Sequence, residues 1–418
     1  MTSDTRRSIE AVWRIEQAKL VAGLARMLRD VGRAEELSQD ALVAALEHWP
    51  RTGVPDNPGA WLMATAKRRA LDRLRHDALA RRKHGELALE AEAAVEPDYE
   101  TTLDDDVGDD LLRLIFIACH PLLSTEARLA LTLRLVGGLT SGEIARAFLV
   151  PEPTIAQRIV RAKRTLGDAR VPFELPRGED RAARLSSVLQ VIYLIFNEGY
   201  SATAGGDWMR PALCDEALRL GRILSGLVPQ EPEAHGLLAL MEIQASRTAA
   251  RTGASGEPVL LLDQDRSRWD RLLIRRGLAA LARAEALGGE RGPYALQAAL
   301  AACHARARVA DETDWRRIAG LYATLAEVAP SPVVELNRAV AVGMAEGPAA
   351  GLALVEALAE EPALAGYHLL PSVRGDLLRK LGRLEEARRE FERAAGMTRN
   401  ARERTLLLER AASTRNCR

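Results

Sequence analysis

Residues 139–166 read LTSGEIARAFLVPEPTIAQRIVRAKRTL. Thr140 and Glu143 stand at the spacing of a capping box, in which the hydroxyl takes a free N–H of the first turn and the carboxylate reaches back. Leu149, Val150 and Pro151 suit a short turn, and Pro153 fits the first turn of a following helix, where its missing N–H is no loss. Helix, tight turn and helix make the layout of a helix-turn-helix. At about 100° per residue, Ile155, Ile159, Ala162 and Leu166 share one narrow face of the second helix. Gln157, Arg161 and Arg164 project on the opposite face, with Arg158 and Lys163 on its flanks. Such a helix suits the major groove, where Arg and Gln reach base edges and the other cations meet phosphates. The bland alternative is a solvated charged face on an ordinary helix.

Working toward the N-terminus, residues 57–76 read NPGAWLMATAKRRALDRLRH. Met63, Ala64, Ala70, Leu71 and Leu74 are expected on one side of a helix, with Trp61, Thr65, Arg68, Asp72 and Arg75 along another. An aromatic at the head of a basic stripe can stack on an unpaired base while cations hold the backbone, as in single-strand binding. Packing of Trp61 against preceding helices is the other reading.

Fifty-eight basic and fifty-eight acidic residues cancel, so net charge says nothing of nucleic acid, but charge is segregated along the chain. Residues 61–85 hold eight Lys/Arg against two Asp/Glu, whereas 86–110 hold eleven Asp/Glu and no cation. That acidic stretch has too few large apolar residues for a core. It serves either as a solvated tether or as an electrostatic mimic of nucleic acid for a basic channel. Cys119, Cys214, Cys303 and Cys417 show no disulfide or zinc spacing, which points to a reducing, cytoplasmic compartment with no metal and no cofactor. The beginning MTSDTRRSIEAVW has no signal core, and the most apolar run, 188–196, is too short to span a bilayer.

From about Arg181 onward one helical pattern follows another, broken at Gly and Pro clusters, with a short strand conceivable only at 259–262. Residues 377–395, LLRKLGRLEEARREFERAA, resemble a tetratricopeptide unit, and 336–358 make a looser copy about 37 positions earlier. Stacked helical hairpins follow from this. Polar clusters at 197–200 and 262–270 either line a ligand or catalytic pocket or hold loops and helix ends together. No nucleophile elbow, phosphate loop or HExxH occurs, so no catalytic residue is assigned and the chain reads as a non-enzyme.

The blocks GAWL at 59–62 and AKRRALDRLR at 66–75 resemble the promoter-melting and minus-ten segment of extracytoplasmic-function sigma-70 factors. AEELSQDAL at 34–42 resembles that family's polymerase-docking helix, and 143–145 with 154–164 resemble its minus-thirty-five reader. The chain departs from the family at Arg68, where Asn is usual, and at Leu42, where Phe is usual. The resemblance covers about 9–170, and the remainder is similar to the tetratricopeptide-like extension of one sigma subgroup.

It implies an all-α chain of two small helical sigma modules, the second a helix-turn-helix, followed by an array of helical hairpins. Expected boundaries are 1–80 for the first module, 81–110 for the acidic tether, 111–170 for the second module and 181–418 for a regulatory domain. Promoter DNA would be met by Trp61, Arg68, Arg75, Gln157, Arg158, Arg161, Lys163 and Arg164. Core RNA polymerase would be met by Glu36, Gln39 and Asp40, and the C-terminal domain would take a protein or small-molecule effector. A conventional repressor needs only one helix-turn-helix, so the two-module layout speaks against it. An enzymatic C-terminal domain would need a deep pocket with perturbed carboxylates at the two polar clusters.

Overall fold

The computed structural model describes residues 3–83, 105–148, 150–201, 209–253 and 256–414. The architecture is all-α: among the described residues β structure is confined to isolated bridge residues, Thr252 paired with Pro258, and Asn400. The strand conceivable at 259–262 is not formed. A 3-10 turn occupies Leu261–Asp263 instead, since no neighbouring strand offers a ladder. No helix is long and apolar enough to cross a membrane among the described residues.

The chain divides into two compact units, Met1–Val191 and Ile192–Arg418. In the first, α1 (Ser3–Leu28) packs on α2 (Val31–Thr52), α3 (Pro58–Lys83) and α4 (Asp105–Ala118). Asp30 caps α2 by accepting the Arg33 amide at 3.0 Å, and Leu20, Leu24, Ala41 and Trp49 are core residues. The side of α3 that is buried is carried by Leu62, Ala66 and Ala70, whereas Ala64 and Leu71 are exposed. Ala70 is common to this stripe and the expected one, and the inward face turns toward Leu62 and Ala66 because the small Ala66 and Ala70, one turn apart, let α3 lie close on its neighbours. Most of the expected acidic tether, 84–104, lies outside the described residues. Residues 81–83 continue α3, and 105–110 open α4.

Three further helices, α5 (Thr125–Leu135), α6 (Ser141–Phe148) and α7 (Glu152–Asp168), complete the second module. α8 (Gly178–Tyr200) follows, and its beginning belongs to this unit. The Ser187 hydroxyl donates to the Cys119 carbonyl at 2.8 Å, and Arg184 donates to the Phe116 carbonyl at 3.0 Å. The compact division therefore falls within α8 rather than at 181. Burial pushes the Cys119 thiol up to about 11, the behaviour of a structural and unreactive cysteine.

The second unit contains the rest of α8 and α9 (Pro211–Leu227), α10 (Pro232–Ala245), α11 (Arg271–Ala286), α12 (Pro293–Arg306) and α13 (Trp315–Val328). It ends with α14 (Pro332–Ala345), α15 (Pro348–Ala357), α16 (Leu369–Lys380), α17 (Leu384–Met397) and α18 (Ala401–Ser413). Helices adjacent in sequence pack on one another, as stacked hairpins require. The tetratricopeptide-like stretch forms α16, a turn and α17. Gly382 takes φ 78° in the turn, where a side chain would be strained, and Ala387 and Phe391 are fully buried. In the looser copy, a Cβ on Gly351 of α15 would meet Gly343 Cα of α14 at 2.8 Å, so glycine there sets the crossing distance.

Candidate nucleic-acid interface

The capping box is formed. Glu143 N donates to Thr140 Oγ1 at 3.2 Å, and Thr140 N donates to Glu143 Oε2 at 2.7 Å. α6 thus begins at a defined residue, and α7 starts with Pro153 in its first turn. Of the expected turn, Val150 and Pro151 precede α7, and Leu149 lies outside the described residues. Ile155, Ile159, Ala162 and Leu166 of α7 are buried, so the apolar face read from periodicity is the inward one.

Outward, Gln157, Arg161 and Arg164 are exposed. Arg164 Nε is 3.4 Å from Asp168 Oδ2, with both side chains largely in solvent, a pairing too weak to hold the guanidinium back. Arg158 is half-buried toward the α5 N-terminus. There the backbone amide and the Ser124 hydroxyl, with a smaller contribution from Arg158, hold Glu126 below the usual carboxylate range. Val160, 62% exposed, lies at i+3 from Gln157 and i−4 from Arg164 on the same outward face. The i, i+3, i+4, i+7 pattern of 157, 160, 161 and 164 carries that signal in the sequence, but an apolar residue among cations was passed over.

Lys163 points elsewhere. Its ammonium is in ion-pair contact with Glu35 Oε2 of α2. Glu35, 2% exposed, also accepts from Arg134 Nε of α5 at 2.6 Å and from Gln39 Nε2 at 2.9 Å. Arg134 reaches on to the Leu139 carbonyl at 3.2 Å, and Gln17 of α1 donates to the Arg134 carbonyl at 3.3 Å. One buried carboxylate of the first module therefore holds two cations of the second. Glu35 escaped the sequence reading because a Glu-Glu pair gives no sign of which member turns inward. Its place beside Ala34, Leu37, Ser38 and Ala41, all buried, was the available clue.

On α3, Arg68 and Arg75 are exposed, Arg75 lying 3.8 Å from Asp72. Trp61 is half-buried and meets Trp49 edge-on, with ring centroids 5.3 Å apart. Its packing on α2 is thus real, and part of the indole faces outward beside the basic stripe. On α2, Glu36 and Asp40 are exposed, and Gln39 is partly turned toward Glu35. The Asp40 carbonyl accepts from Arg69 Nη1 at 2.8 Å, tying α3 to this helix. All these residues belong to the first unit.

In the second unit the two polar clusters serve the structure. Asp265 accepts from the Ser267 amide at 2.9 Å, and Asp270 caps α11 by accepting from the Leu272 and Leu273 amides. Glu198 pairs with Arg210. These are the helix-end and loop contacts of the simpler reading.

A family model described as Sigma-70 region 2 matches residues 14–79, and one described as Sigma-70, region 4 matches 113–166. A third, described as a family of unknown function (DUF6596), matches 184–285. The chain is 46% identical over 391 residues to "Uncharacterized protein R00370" of Rhizobium meliloti, covering 92% of this chain and 90% of that one. It is 26% identical to the probable ECF RNA polymerase sigma factor SigI of Mycobacterium tuberculosis, covering 41% of this chain and 59% of SigI. It is 32% identical to the ECF RNA polymerase sigma factor SigK of Mycobacterium bovis, covering 34% and 74% respectively.

Proposed function

The chain belongs to the extracytoplasmic-function family of sigma-70 RNA polymerase sigma factors, and from that premise we propose that it carries core polymerase to promoters through two separate DNA contacts. The observation that carries this reading is α7, buried on one face and basic on the other behind a formed capping box. In this reading Gln157, Arg158, Arg161 and Arg164 meet the upstream element, and the apolar Val160 meets a thymine methyl. Trp61, Arg68 and Arg75 act on the melting segment, and Glu36, Gln39 and Asp40 meet the polymerase. Nucleotidyl transfer belongs to the polymerase. Transcription with purified core enzyme on genomic promoter fragments tests this: specific transcripts that require the protein are expected, and their absence would overturn the reading.

The Glu35 contacts add a step. The minus-ten and minus-thirty-five elements are about 25 base pairs, roughly 85 Å, apart. With α7 held on α2, which itself packs on α3, α3 and α7 cannot serve both at once. The Glu35–Arg134–Lys163 group therefore acts as a latch that opens when the factor loads on polymerase, which frees Lys163 for phosphate. Glu36, Gln39 and Asp40 are on the latch helix itself, so polymerase docking and release of α7 are coupled through one element.

Replacing Trp61 with Ala is expected to impair open-complex formation more than polymerase binding, with a loss of about 1 to 3 kcal/mol of stacking. Permanganate footprinting reads the bubble, and an undiminished bubble would assign Trp61 to packing on Trp49 alone. The helical array is proposed as the regulator of the sigma modules, favoured by the high effective concentration of a covalent tether. A chain ending after Tyr200 keeps α8 whole. Its transcription is expected to differ from that of the intact protein, and equal output and promoter choice would remove the regulatory role.

A further inference from the structure

Within the second unit, α10, α12, α13 and α14 line a half-open cavity of about 460 Å³ that the sigma reading does not use. One part of its wall is aromatic, with Tyr193, Trp315 and Tyr322. The other is polar, with Arg247, His304, Gln244 and Asn337, and no Asp or Glu lines it among the described residues.

Arg247 is only 8% exposed, and no carboxylate is in ion-pair contact with it among the described residues. Its Nη2 donates to Gln244 Oε1 at 2.5 Å, its guanidinium lies 5.8 Å from the Tyr200 and Trp269 ring centroids, and its Nε has no partner. His304, whose ring meets Trp315 edge-on at 5.3 Å, has a buried Nδ1 that is also unpartnered. Burial first, then the Arg247 and Arg266 guanidiniums, push His304 down to about 4, so the ring is neutral near pH 7 beside uncompensated positive charge. A buried cation without a counter-charge is among the costliest arrangements in a folded protein, and an anion at that point relieves it.

We propose that this cavity binds a small aromatic monocarboxylate, its carboxylate paired with Arg247 and its ring packed between Trp315 and Tyr322. A single lining guanidinium suits one negative charge, the aromatic wall suits a ring, and the volume lies in the range of roughly 300–1,000 Å³ usual for small-molecule sites. The proposal rests on the regulatory reading of this unit only for its consequence in transcription, not for the binding itself.

The test is calorimetric titration of the intact protein with benzoate and indole-3-acetate, with benzamide and indole-3-acetamide as uncharged counterparts. Saturable binding of at least one acid is expected, with its amide about tenfold weaker or more. Arg247→Gln is expected to bring the acid to the level of the amide. Because Arg247 also holds Gln244 and faces two rings, Asn337→Trp is the second variant. Asn337 is an exposed wall residue, so the added indole closes the cavity while leaving the cation and the melting temperature in place. Binding by Asn337→Trp equal to wild type, equal affinity for acid and amide, or no saturable binding of either acid by the folded protein up to about 10 mM would each overturn the proposal. Since no transcription is measured, these outcomes are independent of whether the unit regulates the sigma modules.

Discussion

A chain carrying Ala at 158, 161 and 164 is expected to bind its promoter more than a hundredfold more weakly. Each Arg at a base edge is worth about 1 to 3 kcal/mol, so three together reach about 3 kcal/mol at the low end, already somewhat over a hundredfold. The loss has an ionic signature to the extent that these cations also neutralise phosphates: the slope of log affinity against log salt falls by about 0.9 for each that does, at most about 2.7 for the three. Among single replacements, those at Arg161 and Arg164 are expected to cost more than that at Arg158, which is half-buried beside Glu126. None of the three fills the core of the second module, so the melting temperature is expected to stay constant. Fluorescence anisotropy with a labelled promoter duplex over a salt series measures both quantities. Unchanged affinity and slope would show that α7 is not the reader.

Glu35→Gln is expected to have the second large effect, with stability and DNA binding moving in opposite directions. Removing one partner of a buried ion pair costs about 3 to 5 kcal/mol where the stranded charges stay buried. Here Arg134 and Lys163 have side chains 20% and 22% exposed and can partly rehydrate, which places the loss at about 2 to 3 kcal/mol. Thermal unfolding reads that loss. With the latch weakened, the free protein is expected to bind an isolated upstream element more tightly than wild type, because α7 and Lys163 are released from α2. Lys163→Ala separates the two effects: Glu35 keeps Arg134, so the stability loss is smaller, while one phosphate contact is also lost. A Glu35→Gln protein with wild-type melting and wild-type DNA affinity would reduce the Glu35 group to an incidental contact.

Features set by neighbours along the chain were legible. The Thr140–Glu143 box, Pro153 and the spacing of Ile155, Ile159, Ala162 and Leu166 determined the helix-turn-helix and which side of α7 faces inward, because capping and helical periodicity act within a few residues. Gly382, Ala387 and Phe391 likewise marked the hairpin of α16 and α17. On α3 the expected side holds Ala70, which is buried, but also Ala64 and Leu71, which are exposed. Alanines at 64, 66 and 70 are chemically alike, and only the helix packed against them selects Ala66 and Ala70 for the interior.

The amino-acid sequence by itself determined the all-α class, the order of the two modules and the outward cations of α7. Those follow from local hydrogen bonding and from a period of about 3.6 residues. Only the tertiary structure decided that Glu35 rather than Glu36 is buried, that Lys163 faces α2 rather than solvent, and that Arg247 lies in a cavity wall without a carboxylate. Each of these depends on residues far apart in the chain: Glu35 meets Arg134 and Lys163, and Arg247 shares its cavity with His304, Trp315 and Asn337. Periodicity can say that a charge stands on a given face of its own helix, but the electrostatic cost of that charge is set by what another helix brings to it.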